Sequence, residues 1–173
     1  MYKVASSIRE AWVGLGELKV ANHQGAVIIC VGIGSCVAVS IYDVVARVGG
    51  MVHIVLPISP PMSTGQNNQV ERLGKYANEG IPALIDAILK LGADRNHLQA
   101  KISGGAQMSG PQGRLNVFKI GERNVEEVKF SLERERIYLA AAQVGGSSGR
   151  SVRMHLDTGA LTIRSLGKEV ITI

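Results

Sequence analysis

The sequence predicts an α+β fold: a layered sandwich of mixed or antiparallel sheets that carries two main helices. Three observations lead there. Short apolar runs, several alternating with period two, recur along the chain and read as strands. Two stretches repeat apolar residues at helical spacing instead. The order of strands, helix, strand, helix and strands departs from the regular alternation of a βαβ fold. With 173 residues, 46% of them hydrophobic, one domain spanning residues 1–173 can bury a core that needs no covalent staples.

Residues 1–9 show no strong periodicity and are expected to lie across the surface or fray. Residues 12–20 read as one strand, with Gly14 and Gly16 marking a bulge or a close backbone approach. After a turn at 22–25, the run 26–31 is short and apolar enough for a buried strand, and it delivers the chain into a glycine turn at 32–36. Val37, Val39 and Ile41 alternate with Ala38, Ser40 and Tyr42, and a second alternating run covers 48–56, so a hairpin follows. The stretch 57–68, rich in proline and polar residues, reads as a loop that borders or covers the site.

Ile81, Leu84, Ile85, Ile88 and Leu89 then mark an amphipathic helix that stops at Gly92. Pro82 fits its first turn; a helix running from Lys75 would be kinked there. Residues 98–102 are a strand that ends in Ser103, Gly104, Gly105 and Ala106, with a flexible stretch on to Arg114. Asn124 is placed to cap a helix over 125–136 whose apolar side is Val125, Val128, Phe130 and Leu132. A buried strand at 137–144, a glycine loop at 145–150 and a hairpin of 152–156 with 160–164 complete the chain.

The formal net charge is +5. The basic residues are scattered and rings are few, so the stripe of cations and stacking aromatics that nucleic acid requires is missing. The charge suits a mildly basic surface or a negatively charged protein partner. No apolar run approaches the ~20 residues that span a bilayer, and the amino terminus lacks the apolar centre of a secretory signal. No membrane insertion and a cytoplasmic location are expected. Two cysteines are too few for a disulfide framework, and His23, His97 and His155 lack metal-ligand spacing. No cofactor and no metal are expected.

The chemistry concentrates in the hairpin. With a four-residue loop at 43–46, Tyr42 faces Arg47, Ser40 faces Gly49, Ala38 faces Met51, and Cys36 falls opposite His53. Opposed β carbons lie about 4.5–5.5 Å apart, so thiol and imidazole share a face; a slip of one residue would send His53 to the other. A thiol turns nucleophilic when a histidine lowers its pKa or takes its proton. The turn before it, with Gly34, Ser35 and Val37, can expose backbone N–H groups to a developing oxyanion. Ser35 either adds its hydroxyl or only shapes the turn. Cys30, inside an apolar strand, reads from its surroundings as a core residue. Gly32 and Gly34 open a dinucleotide-type turn, but Val37 stands where the third glycine belongs and a strand follows in place of a helix.

Several ordered motifs together resemble the CheD family of chemoreceptor glutamine deamidases: Val13 to Glu17; the Gly32-Ile33-Gly34-Ser35-Cys36 turn; His53 before an apolar run closing on Pro57; Lys75, Tyr76 and Ala77; Gly104, Gly105 and Ala106 with Met108; Ile120 and Gly121; Arg123, Asn124 and Val125; Gly145 and Gly146 with Gly149 and Arg150. The resemblance implies a sandwich of the cysteine-hydrolase type, with Cys36 as nucleophile and His53 as its base. Family members commonly carry a threonine six residues before the cysteine; here that third position is Cys30. The implied activity is deamidation of receptor glutamines through a thioester, with glutamyl methyl ester hydrolysis as a secondary expectation. The implied partners are methyl-accepting chemotaxis receptors and a CheC-type phosphatase. The alternative is a binding module that recruits or stimulates such a phosphatase.

Overall fold

The structure, a computed structural model, describes residues 9–60, 73–107 and 119–173. In chain order the first strands are β1 (Glu10–Val13), β2 (Leu18–Ala21), β3 (Val27–Ile33), β4 (Val37–Asp43) and β5 (Val48–Ile54). Helix α1 (Ala77–Leu89), β6 (Leu98–Gly104), helix α2 (Ile120–Arg134) and β7 (Tyr138–Val144) follow, and then β8 (Arg150–His155), β9 (Ala160–Ser165) and β10 (Ile171–Thr172). The strands form two mixed sheets, β2-β5-β4-β6-β7 and β1-β3-β8-β9-β10, with β1–β3 and β6–β7 parallel. This is the expected α+β sandwich.

The hairpin is its middle. Every residue of β4 and β5 is buried, because alternate side chains go to different layers. Val37, Val39 and Ile41 pack under the helices with Ile81, Leu84, Ile85 and Ile88 of α1 and Val128 and Leu132 of α2. Ala38, Tyr42 and Met51 face the second sheet with Ile28, Cys30, Ile33 and Met154. Fully burying each of the large aliphatic side chains of α1 contributes about 1.5–3 kcal/mol. The helices therefore hold one face of the sheet rigid while the other meets the second sheet, where both cysteines lie.

The hairpin register differs from the expected one by two residues. Ala38, not Cys36, pairs with His53, and the loop is 44–47. Asp43 is the cause: its carboxylate accepts from the N–H groups of Val45 and Ala46 at 2.8 Å each and of Asp94 at 2.7 Å. It therefore ends the ladder as a buried, satisfied group, where the sequence suggested a loop residue. A shift of two keeps every side chain on its face, so Cys36 and His53 still point the same way.

The supposed single strand at 12–20 is two strands in different sheets, parted by a turn in which Glu17 N–H donates to Gly14 O at 3.0 Å. Helix α1 runs through Pro82 unbroken. The proline leaves the Asn78 carbonyl without its helical donor, and Arg134 Nη2 donates to that oxygen at 3.4 Å. Helix α2 starts at Ile120, not Val125, so Asn124 lies within it and is buried, whereas Phe130 faces out. Strand β7 is an edge strand and only partly buried. The expectations for 1–8, for 61–68 and for 108–114 fall outside the described residues.

Candidate active site

Strands β3, β4 and β5 deliver three side chains to one end of the space between the sheets. Cys30 comes from β3, His53 from β5, and Cys36 from the turn that leads from β3 into β4. Strand β3 loses its regular register with β8 between Cys30 and Ile33, and Gly32 takes φ +70°, a conformation that suits glycine. The chain can then leave one sheet and enter the other within a few residues.

The turn is held by its carbonyls. Ala106 N–H donates to Gly34 O at 2.8 Å, Asn124 Nδ2 to Ser35 O at 2.9 Å, and Gly105 N–H to Cys36 O at 2.6 Å. All peptide bonds among the described residues are trans, so each C=O points away from the N–H of the next residue. Tying those three oxygens down turns the N–H groups of Ser35, Cys36 and Val37 the other way. Among the described residues Ser35 N–H meets no backbone acceptor and Cys36 N–H is directed at its own sulfur, while Val37 is already in the ladder, opposite Ile54 and Gly104. Close packing on the far side is strict: a Cβ at Gly104, φ +135°, would lie 2.2 Å from Cys36 O.

His53 is positioned through both backbone and ring. Its N–H donates to Glu17 O at 3.0 Å and its carbonyl accepts from Gly16 N–H at 3.1 Å, which is what the glycine-containing turn between β1 and β2 does for the site. Its Nδ1 lies 3.2 Å from Cys30 Sγ, and Nε2 has no hydrogen-bond partner among the described residues. Burial pushes the imidazole pKa down, partly offset by a backbone hydrogen bond to Val13. The Nδ1–Cys30 contact serves either tautomer: the thiol donates to a bare Nδ1, or the sulfur accepts from Nδ1–H. The tautomer with the proton on Nδ1 is the one that leaves Nε2 its lone pair, with Cys30 sulfur as a weak acceptor.

The two thiols differ. Cys30 is fully buried, and burial, followed by the neighbouring Cys36, pushes its pKa up to about 12. Cys36 is half-buried; burial raises its pKa too, and its own backbone N–H pulls the other way. These directions favour the uncharged forms, two thiols and a neutral imidazole.

Of the sequence candidates, Cys30 and His53 are in direct contact, and Cys36, Ser35 and Gly34 form the adjoining turn. The sequence reading missed Val13, Gly16 and Glu17, which hold His53, and Gly105, Ala106 and Asn124, which hold the turn. Most of these stand in motifs that carried the resemblance, but composition and periodicity assign them no task. No group of three or more His, Cys, Asp or Glu side chains able to hold a metal occurs among the described residues.

In class this is a thiol–imidazole site with backbone donors beside the outer thiol. The chain belongs to the CheD family: the family model, described as CheD chemotactic sensory transduction, matches residues 55–165. A Symbiobacterium thermophilum protein named probable chemoreceptor glutamine deamidase CheD is 42% identical over 156 residues, covering 90% of this chain and 92% of its own. A Desulforamulus reducens protein of the same name is 39% identical over 171 residues, 99% of each chain. The Thermotoga maritima chemoreceptor glutamine deamidase CheD is 41% identical over 155 residues, 90% of this chain and 91% of its own. These alignments omit a tenth of the chain or less, so they take in Cys36 and His53, which precede the family-model match. Among solved structures, the Bacillus licheniformis hypothetical protein YfiH is similar over 76% of this chain and 51% of its own, at 12% identity and TM-score 0.44.

Proposed function

We propose that this chain deamidates glutamine side chains of chemotaxis receptors, with Cys36 as nucleophile, His53 as base and Cys30 as the group that orients the base. Its substrates are then the cytoplasmic parts of methyl-accepting receptors, which places the enzyme in the cytoplasm, and a CheC-type phosphatase is its further partner. The observation that carries the assignment of the site is the His53 ring, held at Nδ1 with Nε2 unbonded and facing the same layer as Cys36. The names of the relatives support the reaction.

The chemistry follows from the resting state. Nε2 takes the Cys36 proton as sulfur attacks the carboxamide carbon, and the negative charge moves to the amide oxygen. The Ser35 and Cys36 N–H groups face that oxygen; one such donor is typically worth ~10²–10³ in rate. The imidazolium returns the proton to the departing nitrogen, ammonia leaves, and a thioester remains. Water, deprotonated by His53, attacks the thioester; glutamate and the free thiol result. Attack on a glutamyl methyl ester differs only in releasing methanol. His53 must be neutral to begin, and burial secures that by lowering its pKa.

The test is incubation with receptor cytoplasmic fragments, followed by intact-mass measurement. Each modified glutamine adds ~1 Da through amide-to-acid conversion, and Cys36→Ala adds none. Equal gain with Cys36→Ala removes the assigned nucleophile.

A further inference from the structure

The peptide unit between Ser35 and Cys36 has one tether that comes from a side chain. Gly34 and Cys36 oxygens accept from backbone N–H groups, but Ser35 O accepts from Asn124 Nδ2, and the same nitrogen donates to Val55 O at 3.0 Å. Val55 lies two residues past His53. One carboxamide therefore joins the nucleophile's turn to the end of the base's strand, beyond the last ladder pair, Val37 with Ile54.

Asn124 is an odd residue for its place. It sits on the buried face of α2 with Gly121, Val128, Ser131 and Leu132, and its Oδ1 has no partner among the described residues. An apolar side chain there would carry no such cost. The amide cannot turn over to satisfy Oδ1, since the flip would set an oxygen against two carbonyl oxygens. Its helix is fixed at the right depth: a Cβ on Gly121 would lie 2.7 Å from the carbonyl oxygens of both Gly105 and Ala106, the two residues whose N–H groups hold the rest of the turn.

We propose that Asn124 is a positioning residue for catalysis: by holding Ser35 O it fixes the orientation of the Cys36 N–H, the donor that faces both the Cys36 sulfur and the developing oxyanion. Without it nothing else among the described residues holds the Ser35 carbonyl, and the Ser35–Cys36 peptide loses its tether at that end. The influence of the Cys36 N–H on its own thiol supports this role. The inference rests on the reading of Cys36 as nucleophile.

The experiment measures the pH dependence of Cys36 alkylation by iodoacetamide, and kcat and KM on a receptor fragment, for the wild type, Asn124→Ala, Asn124→Asp, Val128→Ala and His53→Ala. Asn124→Asp keeps the size and guards against an alanine variant that does not fold. Val128→Ala disturbs the same helix face away from the turn. Both Asn124 variants are expected to move the alkylation midpoint up by about one pH unit, a ~10-fold slower reaction at neutral pH, and to lower kcat ~10²-fold or more with KM little changed. Val128→Ala is expected to lose stability and keep the wild-type profile. Wild-type profiles in folded Asn124 variants, or the same shift in Val128→Ala, overturn the proposal. If the wild-type profile does not depend on His53, the assignment of nucleophile and base has failed instead, and the Asn124 data are read apart from it.

Discussion

The two cysteines lie six residues apart and share one site, yet their surroundings make them different reagents. Cys30 is in a strand, fully buried, against the imidazole, and its thiol is pushed up to about 12. Cys36 is in a turn, half-buried, with the Ser35 N–H free of backbone acceptors and its own N–H directed at the sulfur. The strand interior holds one sulfur fixed against the imidazole; the turn gives the other access and hydrogen-bond donors. Under the proposed assignment, reactivity follows from which element presents the sulfur, since desolvation raises both thiols.

That contrast can be broken in graded steps. Cys36→Ala is expected to remove turnover, a loss of ~10⁴-fold or more, measured as mass gain on a receptor fragment. Cys30→Ala is expected to lose only about 10–10²-fold, part of the ~10²–10⁴ that a positioned base contributes. Cys30→Thr should match or exceed the wild type, because a hydroxyl accepts from Nδ1–H better than a thiol does. Gly104→Ala tests the support of the turn without touching either sulfur. Its Cβ would collide with Cys36 O at an unfavourable φ, so a cost of about 1–3 kcal/mol in stability is expected together with impaired turnover; thermal unfolding and the deamidation assay read the two effects.

The pH profile sharpens the same comparison. With a neutral thiol and a neutral imidazole at rest, kcat/KM should fall on the acid side only below the ordinary histidine pKa of 6.5. It should hold or rise up to the ordinary thiol value of 9.0. A thiolate–imidazolium pair would instead lose activity between neutrality and that value, as the imidazolium gave up its proton. The smallest effect is expected at Arg134→Ala, which removes a long contact on an exposed residue. Stability should change by no more than about 0.5 kcal/mol, and deamidation should not change.

Much of this arrangement was legible in the amino-acid order, for a definable reason. Period-two patterning decides faces, and the hairpin kept its faces even though its register moved by two, so Cys36 and His53 were brought to one layer by the expected rule. What moved the register was Asp43, a side chain that bonds three backbone N–H groups, one of them from Asp94 far along the chain. Such a contact leaves no periodic trace. The break between β1 and β2 was hidden because Gly14 and Gly16 serve a turn as readily as a bulge. Asn124 has the type of an N-cap and stands near a helix start, so local rules assigned it a cap. Its bonds to Ser35 and Val55 depend on how α2 docks on β4 and β5, which only the folded chain reveals.

The most direct test is stoichiometric labelling with iodoacetamide, followed by peptide mapping of both cysteines and assay of the same samples. The label is expected on Cys36 alone, with deamidation lost in proportion to its occupancy. Label on Cys30, or full deamidation with Cys36 completely alkylated, would contradict the division of labour between the two thiols.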